Sequence, residues 1–200
     1  SDIDVACVVV RSSVLGGEGT ELALSLLARG VHVIQEQPVH ADDCAVCLRM
    51  ARRHGVLYRV GDLYVQLPAV RRFVLAARAA QRQQPLSFID AACATQVSFP
   101  LVHMLTEALS RLRPWSMPVS VPVGAPLQVL RGTLGSVPLI VRAHNEVDPS
   151  DPDNHIHLLH QITLGFAGGT LTLTDTHGPV TWRPRLRIPT SVKTRFDFDG

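Results

Sequence analysis

Apolar positions cluster along this chain in two rhythms. Ile3 to Val10 is a near-continuous apolar, β-branched run, the pattern of a strand buried on both faces of a parallel sheet. A loop from Arg11 to Gly17 follows, and Thr20 to Arg29 then carries a leucine and alanine face that predicts a helix stopped by Gly30. Val31 to Ile34 predicts the next strand. A second helix begins at Asp42 or Asp43 and ends at His54 before Gly55, and Val56 to Val60 predicts a third strand. This β-α-β-α-β order with short links predicts a parallel sheet with right-handed crossovers.

Past residue 66 the character changes. A helix is predicted over Leu67 to Gln83, with Pro68 in its first turn and Arg71, Arg72 and Arg78 on its wet side. Phe88 to Thr95 predicts a strand and Pro100 to Leu112 a helix. Six further strands are predicted at Val119–Val123, Leu127–Arg131, Val137–His144, His155–Phe166, Thr170–Thr174 and Val180–Trp182, separated by turn residues such as Gly168-Gly169. The predicted fold class is α/β plus α+β. Residues 1–66 form part of a nucleotide-type α/β domain, and residues 67–200 form an α+β domain with an open, mostly antiparallel sheet.

Composition narrows the function classes. With 46% hydrophobic and 18% charged residues, the 200-residue chain has the profile of a folded globular protein. The net charge is only +2 and aromatics are 5%, which argues against a nucleic-acid binder with a concentrated basic face and stacking rings. No apolar run reaches the ~18 residues needed to span a bilayer, so no membrane partner is expected. No signal-peptide pattern opens the sequence, and the expected compartment is cytoplasmic. Four cysteines in a chain of this length do not make a disulfide framework.

Three local patterns invite chemistry and are weighed against plainer readings. Gly17-Glu18-Gly19 precedes a helix, but Arg11 to Gly16 separate it from the strand, whereas a dinucleotide fingerprint turns directly at the strand end. A close-packed helix entry is the preferred reading. Cys44 and Cys47 form C-x-x-C within a helical stretch, which favours packing over redox chemistry. In an extended strand His155 and His157 share a face that His160 does not, so no metal is expected there.

The strings VVVRSS, GGEGTELALSLLARG and VHVIQEQP resemble the second half of the nucleotide domain of Gfo/Idh/MocA-type oxidoreductases, where a strand ends in a Glu-Lys-Pro motif. The strings VVRSSVLGGEGTELA, LLARGVHVIQEQPVH, GDLYVQLPAVR and DPDNHIHLLHQITLGFAGGTLTLTDTHGPVTW are similar to those of thiazolinyl imide reductases, in the same order and over most of the chain. The resemblance implies a partial Rossmann fold followed by an open-sheet domain. It also implies NADPH as cofactor and reduction of a thiazoline C=N to a thiazolidine. The substrate would be a thioester on a carrier domain of a nonribosomal peptide synthetase, in siderophore biosynthesis. Pairing as a homodimer through the β-rich sheet is implied as well. Because Ile3–Val10 is too apolar for a sheet edge, the chain is expected to be the middle portion of a longer polypeptide whose first Rossmann half precedes it.

Hydride addition to an imine carbon leaves electron density on nitrogen, so a proton donor is needed nearby. Tyr64 matches the family tyrosine proposed for that role; the plainer alternative is a ring packed in an interface. His40 also matches a family histidine, against a polar loop residue ahead of a helix. Arg11, Ser12 and Ser13 match the segment that lines the cofactor in relatives, with Glu36, Gln37 and Pro38 in the strand-end motif. Gln37 departs from the family, where Lys or His stands. A neutral amide cannot serve as a general acid, but it can orient a carboxamide by hydrogen bonding. Either Tyr64 or a water then delivers the proton, or the chain is a divergent member, at the limit a noncatalytic scaffold piece of a synthetase assembly. A sugar or inositol dehydrogenase is disfavoured, because the Glu-Lys-Pro lysine is missing.

Overall fold

The computed structural model describes residues 3–12, 16–109, 111–124, 126–145, 150 and 156–187. The chain divides into two compact units, Ser1–Leu63 and Tyr64–Gly200.

In the first unit β1 (Val5–Val8), α1 (Gly19–Ala28), β2 (His32–Glu36), α2 (Ala41–His54) and β3 (Tyr58–Gly61) alternate. The strands pair in parallel in the order β1-β2-β3. α2 stops where Gly55 takes a left-handed φ of 67°, a conformation that a side chain disfavours. The core gathers Val8, Ala23, Leu27, Val33, Cys47, Ala51 and Tyr58. The first strand is shorter than the apolar run, and among the described residues it pairs only with β2, which leaves Val8 buried but Val5 53% exposed.

The second unit opens with a 3-10 turn at Tyr64–Gln66, followed by α3 (Pro68–Gln83), β4 (Leu86–Ala94), a 3-10 turn at Thr95–Val97 and α4 (Ser98–Ala108). Strands β5 (Trp115–Gly124), β6 (Leu127–Leu134), β7 (Val137–His144), β8 (His160–Phe166), β9 (Gly169–Leu173) and β10 (Val180–Pro184) complete it. Among the described residues its seven strands run in the order β10-β9-β8-β4-β7-β6-β5. The β4–β7 pair is parallel and the other described pairs are antiparallel.

Alternation along β4, β7 and β8 sends Ile89, Leu139, Val141, Ile162 and Leu164 to one face, where they form a core with Phe73, Val70, Met104 and Leu105 from the helices. The other face is more polar. There Arg142 Nε bonds Asp90 at 3.2 Å and its Nη2 bonds Gln161 at 2.9 Å, while Thr163 and Thr172 share a 3.1 Å hydrogen bond.

Two strand boundaries differ from expectation for physical reasons. β5 begins at Trp115 rather than Val119, running through Pro118 and Pro122. It lies at one edge of the described sheet, where proline is tolerated, and its register shifts between Ser116 and Val119 and between Pro122 and Gly124. β8 begins at His160, which pairs Cys93 one residue before β4 ends.

Candidate functional site

In the first unit the loops that follow β1 and β2 meet. Ser12 is 2% exposed, and its hydroxyl donates to the Pro38 carbonyl. The Gly17 N–H donates to the Ser12 carbonyl at 2.9 Å and the Gly19 N–H to the Arg11 carbonyl at 2.8 Å. A Cβ on Gly17 would lie 2.1 Å from the Arg11 oxygen, and one on Gly19 would lie 2.3 Å from the Val10 oxygen. These glycines therefore let the helix entry cross the 10–12 loop closely, and both N–H groups are already spent on it. A pyrophosphate cradle would need those donors free.

The structure thus joins Ser12 to Pro38, with Gln37 next in the chain. Gln37 is half-buried, and its Oε1 is buried with no hydrogen-bond partner among the described residues. A buried acceptor left open costs ~1–3 kcal/mol, so the observation calls for a donor that completes it. Glu36 ends β2 with an exposed side chain, and Arg11 is exposed beyond β1. His40 is exposed at the start of α2. Its carbonyl accepts from the Cys44 N–H at 2.9 Å, and its imidazole makes no capping bond. Ser13 lies outside the described residues.

Behind this strand end runs a buried polar chain that the sequence reading missed. Gln35 is fully buried on the same face of β2 as Val33. Its Oε1 accepts from the Tyr58 hydroxyl at 2.8 Å, and its Nε2 donates to Thr20 at 3.3 Å. The Thr20 hydroxyl donates in turn to Asp43 at 3.3 Å. The available signal was a polar residue at the inward parity of an apolar strand. Burial pushes the Tyr58 phenol well up, with a smaller contribution from Cys47 and Cys44. Burial also pushes the Cys44 and Cys47 thiols up, and Tyr58 moderates Cys47 by a hydrogen bond. Protonated, packed thiols fit the helix-packing reading of C-x-x-C.

In the second unit Tyr64 is half-buried, and its ring meets the His160 ring edge to face, with centroids 5.1 Å apart and planes at 75°. His160 is fully buried at the start of β8. Its Nε2 lies 2.8 Å from the Val97 carbonyl and its Nδ1 2.9 Å from the Thr176 hydroxyl, and Thr176 is itself fully buried. His157 is exposed, and His155 lies outside the described residues. Nothing in the sequence singled out Thr176, because its contact joins segments that only the folded sheet brings together.

A family model described as thiazolinyl imine reductase Irp3-like, C-terminal, matches residues 83–183, and one described as oxidoreductase family, NAD-binding Rossmann fold, matches residues 1–62. No curated protein matches the chain. Among solved structures, the WlbA dehydrogenase from Bordetella pertussis in complex with NADH and UDP-GlcNAcA is similar with a TM-score of 0.70 and 13% identity, over 96% of this chain and 62% of that one. D-galactose-1-dehydrogenase from Rhizobium etli is similar with a TM-score of 0.63 and 17% identity, over 85% and 60% respectively. An oxidoreductase from Agrobacterium radiobacter in complex with NAD+, L-tartaric acid and magnesium gives 0.64 and 12%, over 94% and 63%. At these identities the likeness is one of fold. The chain spans 60–63% of the length of those three structures.

Proposed function

This chain belongs to the Irp3-like thiazolinyl imine reductase family, and on that premise we propose that it works in NADPH-dependent reduction of a thiazoline C=N to a thiazolidine. The substrate in this reading is a thioester on a carrier domain of a nonribosomal peptide synthetase that builds a siderophore. The observation that carries the proposal is the match of residues 83–183 to that family, beside an NAD-binding Rossmann match over residues 1–62.

The residues at the end of β2 fit a nicotinamide dinucleotide. The open Gln37 Oε1 is an acceptor of the kind that a carboxamide N–H satisfies, and the Ser12–Pro38 bond fixes the loops on either side. When bound, the dinucleotide supplies the hydride that goes to the imine carbon. Arg11 offers a cation for a phosphate, and Ser12, Glu36 and Pro38 shape the wall. The Tyr64 hydroxyl gives its proton to the nitrogen as the electron pair of C=N moves there, and water restores the phenol. His40, exposed ahead of α2, is the second candidate donor.

By the same family resemblance, two copies pair through the large sheet. A second reading, a noncatalytic scaffold piece, draws on the neutral Gln37 at a position where relatives carry a titratable side chain. An assay separates the two. NADPH should be consumed with a synthetic thiazoline thioester of N-acetylcysteamine and not with sugars or inositol. Consumption with a sugar alone would replace the imine reading, and binding of NADPH without consumption by any of them would favour the scaffold.

A further inference from the structure

His160 has no role in the chemistry above, yet both its ring nitrogens have protein partners and its ring meets that of Tyr64. It ties together three segments that are far apart in sequence: the 3-10 turn ending at Val97, the start of β8 and the turn holding Thr176. A carbonyl oxygen can only accept, so Nε2 carries the ring hydrogen and donates to Val97. In a neutral ring Nδ1 is then the acceptor, and the Thr176 hydroxyl 2.9 Å away is the donor that suits it. These two bonds fix the tautomer and the ring plane. With no exposed surface, His160 cannot itself touch a substrate. What it does touch is the Tyr64 ring.

We propose that His160 is a positioning residue for Tyr64: locked by Val97 and Thr176, it holds the phenol ring edge to face and so fixes where the hydroxyl stands. The inference rests on the reading of Tyr64 as proton donor. A phenol turns about two side-chain bonds, and a neighbouring ring held at 75° narrows that freedom. Small displacements of a donor are expensive, with losses reaching ~100-fold for a shift of about 1 Å.

The test compares His160→Gln, Tyr64→Phe and the double variant in the full-length protein, using NADPH and the thiazoline thioester of N-acetylcysteamine. Glutamine keeps a donor and an acceptor on a side chain of similar reach but removes the ring. His160→Gln should lower kcat by about tenfold or more with KM for NADPH unchanged, and should cost nothing further in the Tyr64→Phe background. A wild-type kcat in His160→Gln, or a loss that adds in full to that of Tyr64→Phe, overturns the positioning role and leaves Tyr64 as donor. A wild-type kcat in Tyr64→Phe instead overturns the donor reading itself.

Thr176→Val serves as a second variant that keeps volume in case His160→Gln does not fold, and it should change kcat in the same direction. A readout free of turnover accompanies both. In protein labelled with 13C at tyrosine, the resonance lost in Tyr64→Phe identifies Tyr64. That resonance should move in His160→Gln and in Thr176→Val. An unmoved Tyr64 resonance in both would overturn the proposal.

Discussion

His160 opens β8 of the larger unit with both ring nitrogens bonded to protein groups, whereas Gln37 follows β2 of the smaller unit with a buried carbonyl oxygen that no described group satisfies. Both are polar side chains at strand ends, and burial penalises both unless their bonds are made. The fully bonded one is part of the fold's own frame and acts on its neighbour. The open one has an acceptor that no described protein group uses, which is where the proposed cofactor contact is placed. Gln35, two residues upstream of Gln37 and within β2, sharpens the contrast: its oxygen accepts from Tyr58 and its nitrogen donates to Thr20. β2 and the residue after it therefore carry one amide whose bonds are made within the protein and one whose oxygen is left open.

Tyr64→Phe should lower kcat by about 100-fold, the low end of the range for removing a general acid, while NADPH affinity measured by fluorescence stays within about twofold. A parallel loss of affinity would mean that the ring holds cofactor rather than delivering a proton. Tyr58→Phe should destabilise the smaller unit by ~1–3 kcal/mol, because it strands the buried Gln35 oxygen. Denaturant melts would show this with KM for NADPH unchanged, and an unaltered melt would mean that the buried polar chain is not a structural frame.

Gln37→Leu should do the reverse. It should weaken NADPH by about tenfold, the worth of one net hydrogen bond at the upper end, without lowering stability, since it removes an unsatisfied acceptor. A drop in stability with NADPH affinity intact would place Gln37 in the same structural class as Gln35. The smallest effect is on pH dependence. Burial pushes the Cys93 thiol up from 9.0 to about 11, so the folded state holds that proton more tightly than the unfolded chain. Its contribution is present below pH 9 and lost as pH rises towards 11. Cys93→Ala should flatten that part of the stability profile in alkaline melts.

Much of this arrangement was legible in the chain. The alternation of apolar residues in β7 gave its limits, Val137–His144, because a half-buried strand repeats every two residues. The β-α-β-α-β order and the later mostly antiparallel sheet followed from the same periodicities. β5 was harder to delimit, since prolines read as strand breakers when the strand's place at an edge is unknown. Ser12, Gln37 and Tyr64 were singled out by resemblance, but their bonding was not. Gln35 was hidden because one polar residue in an apolar run gives no hint of its partners. Thr176 was hidden because its partner His160 precedes it by 16 residues across a sheet turn.

The most direct test follows the hydrogen itself. NADPH carrying deuterium at the transferable position would be incubated with a carrier-tethered thiazoline thioester, and the product examined by mass spectrometry. A ring heavier by one deuterium and one hydrogen is expected, with the deuterium on the former imine carbon, and formation of that product should be suppressed in Tyr64→Phe. A cofactor that binds while the thiazoline mass stays unchanged would contradict the proposed reduction.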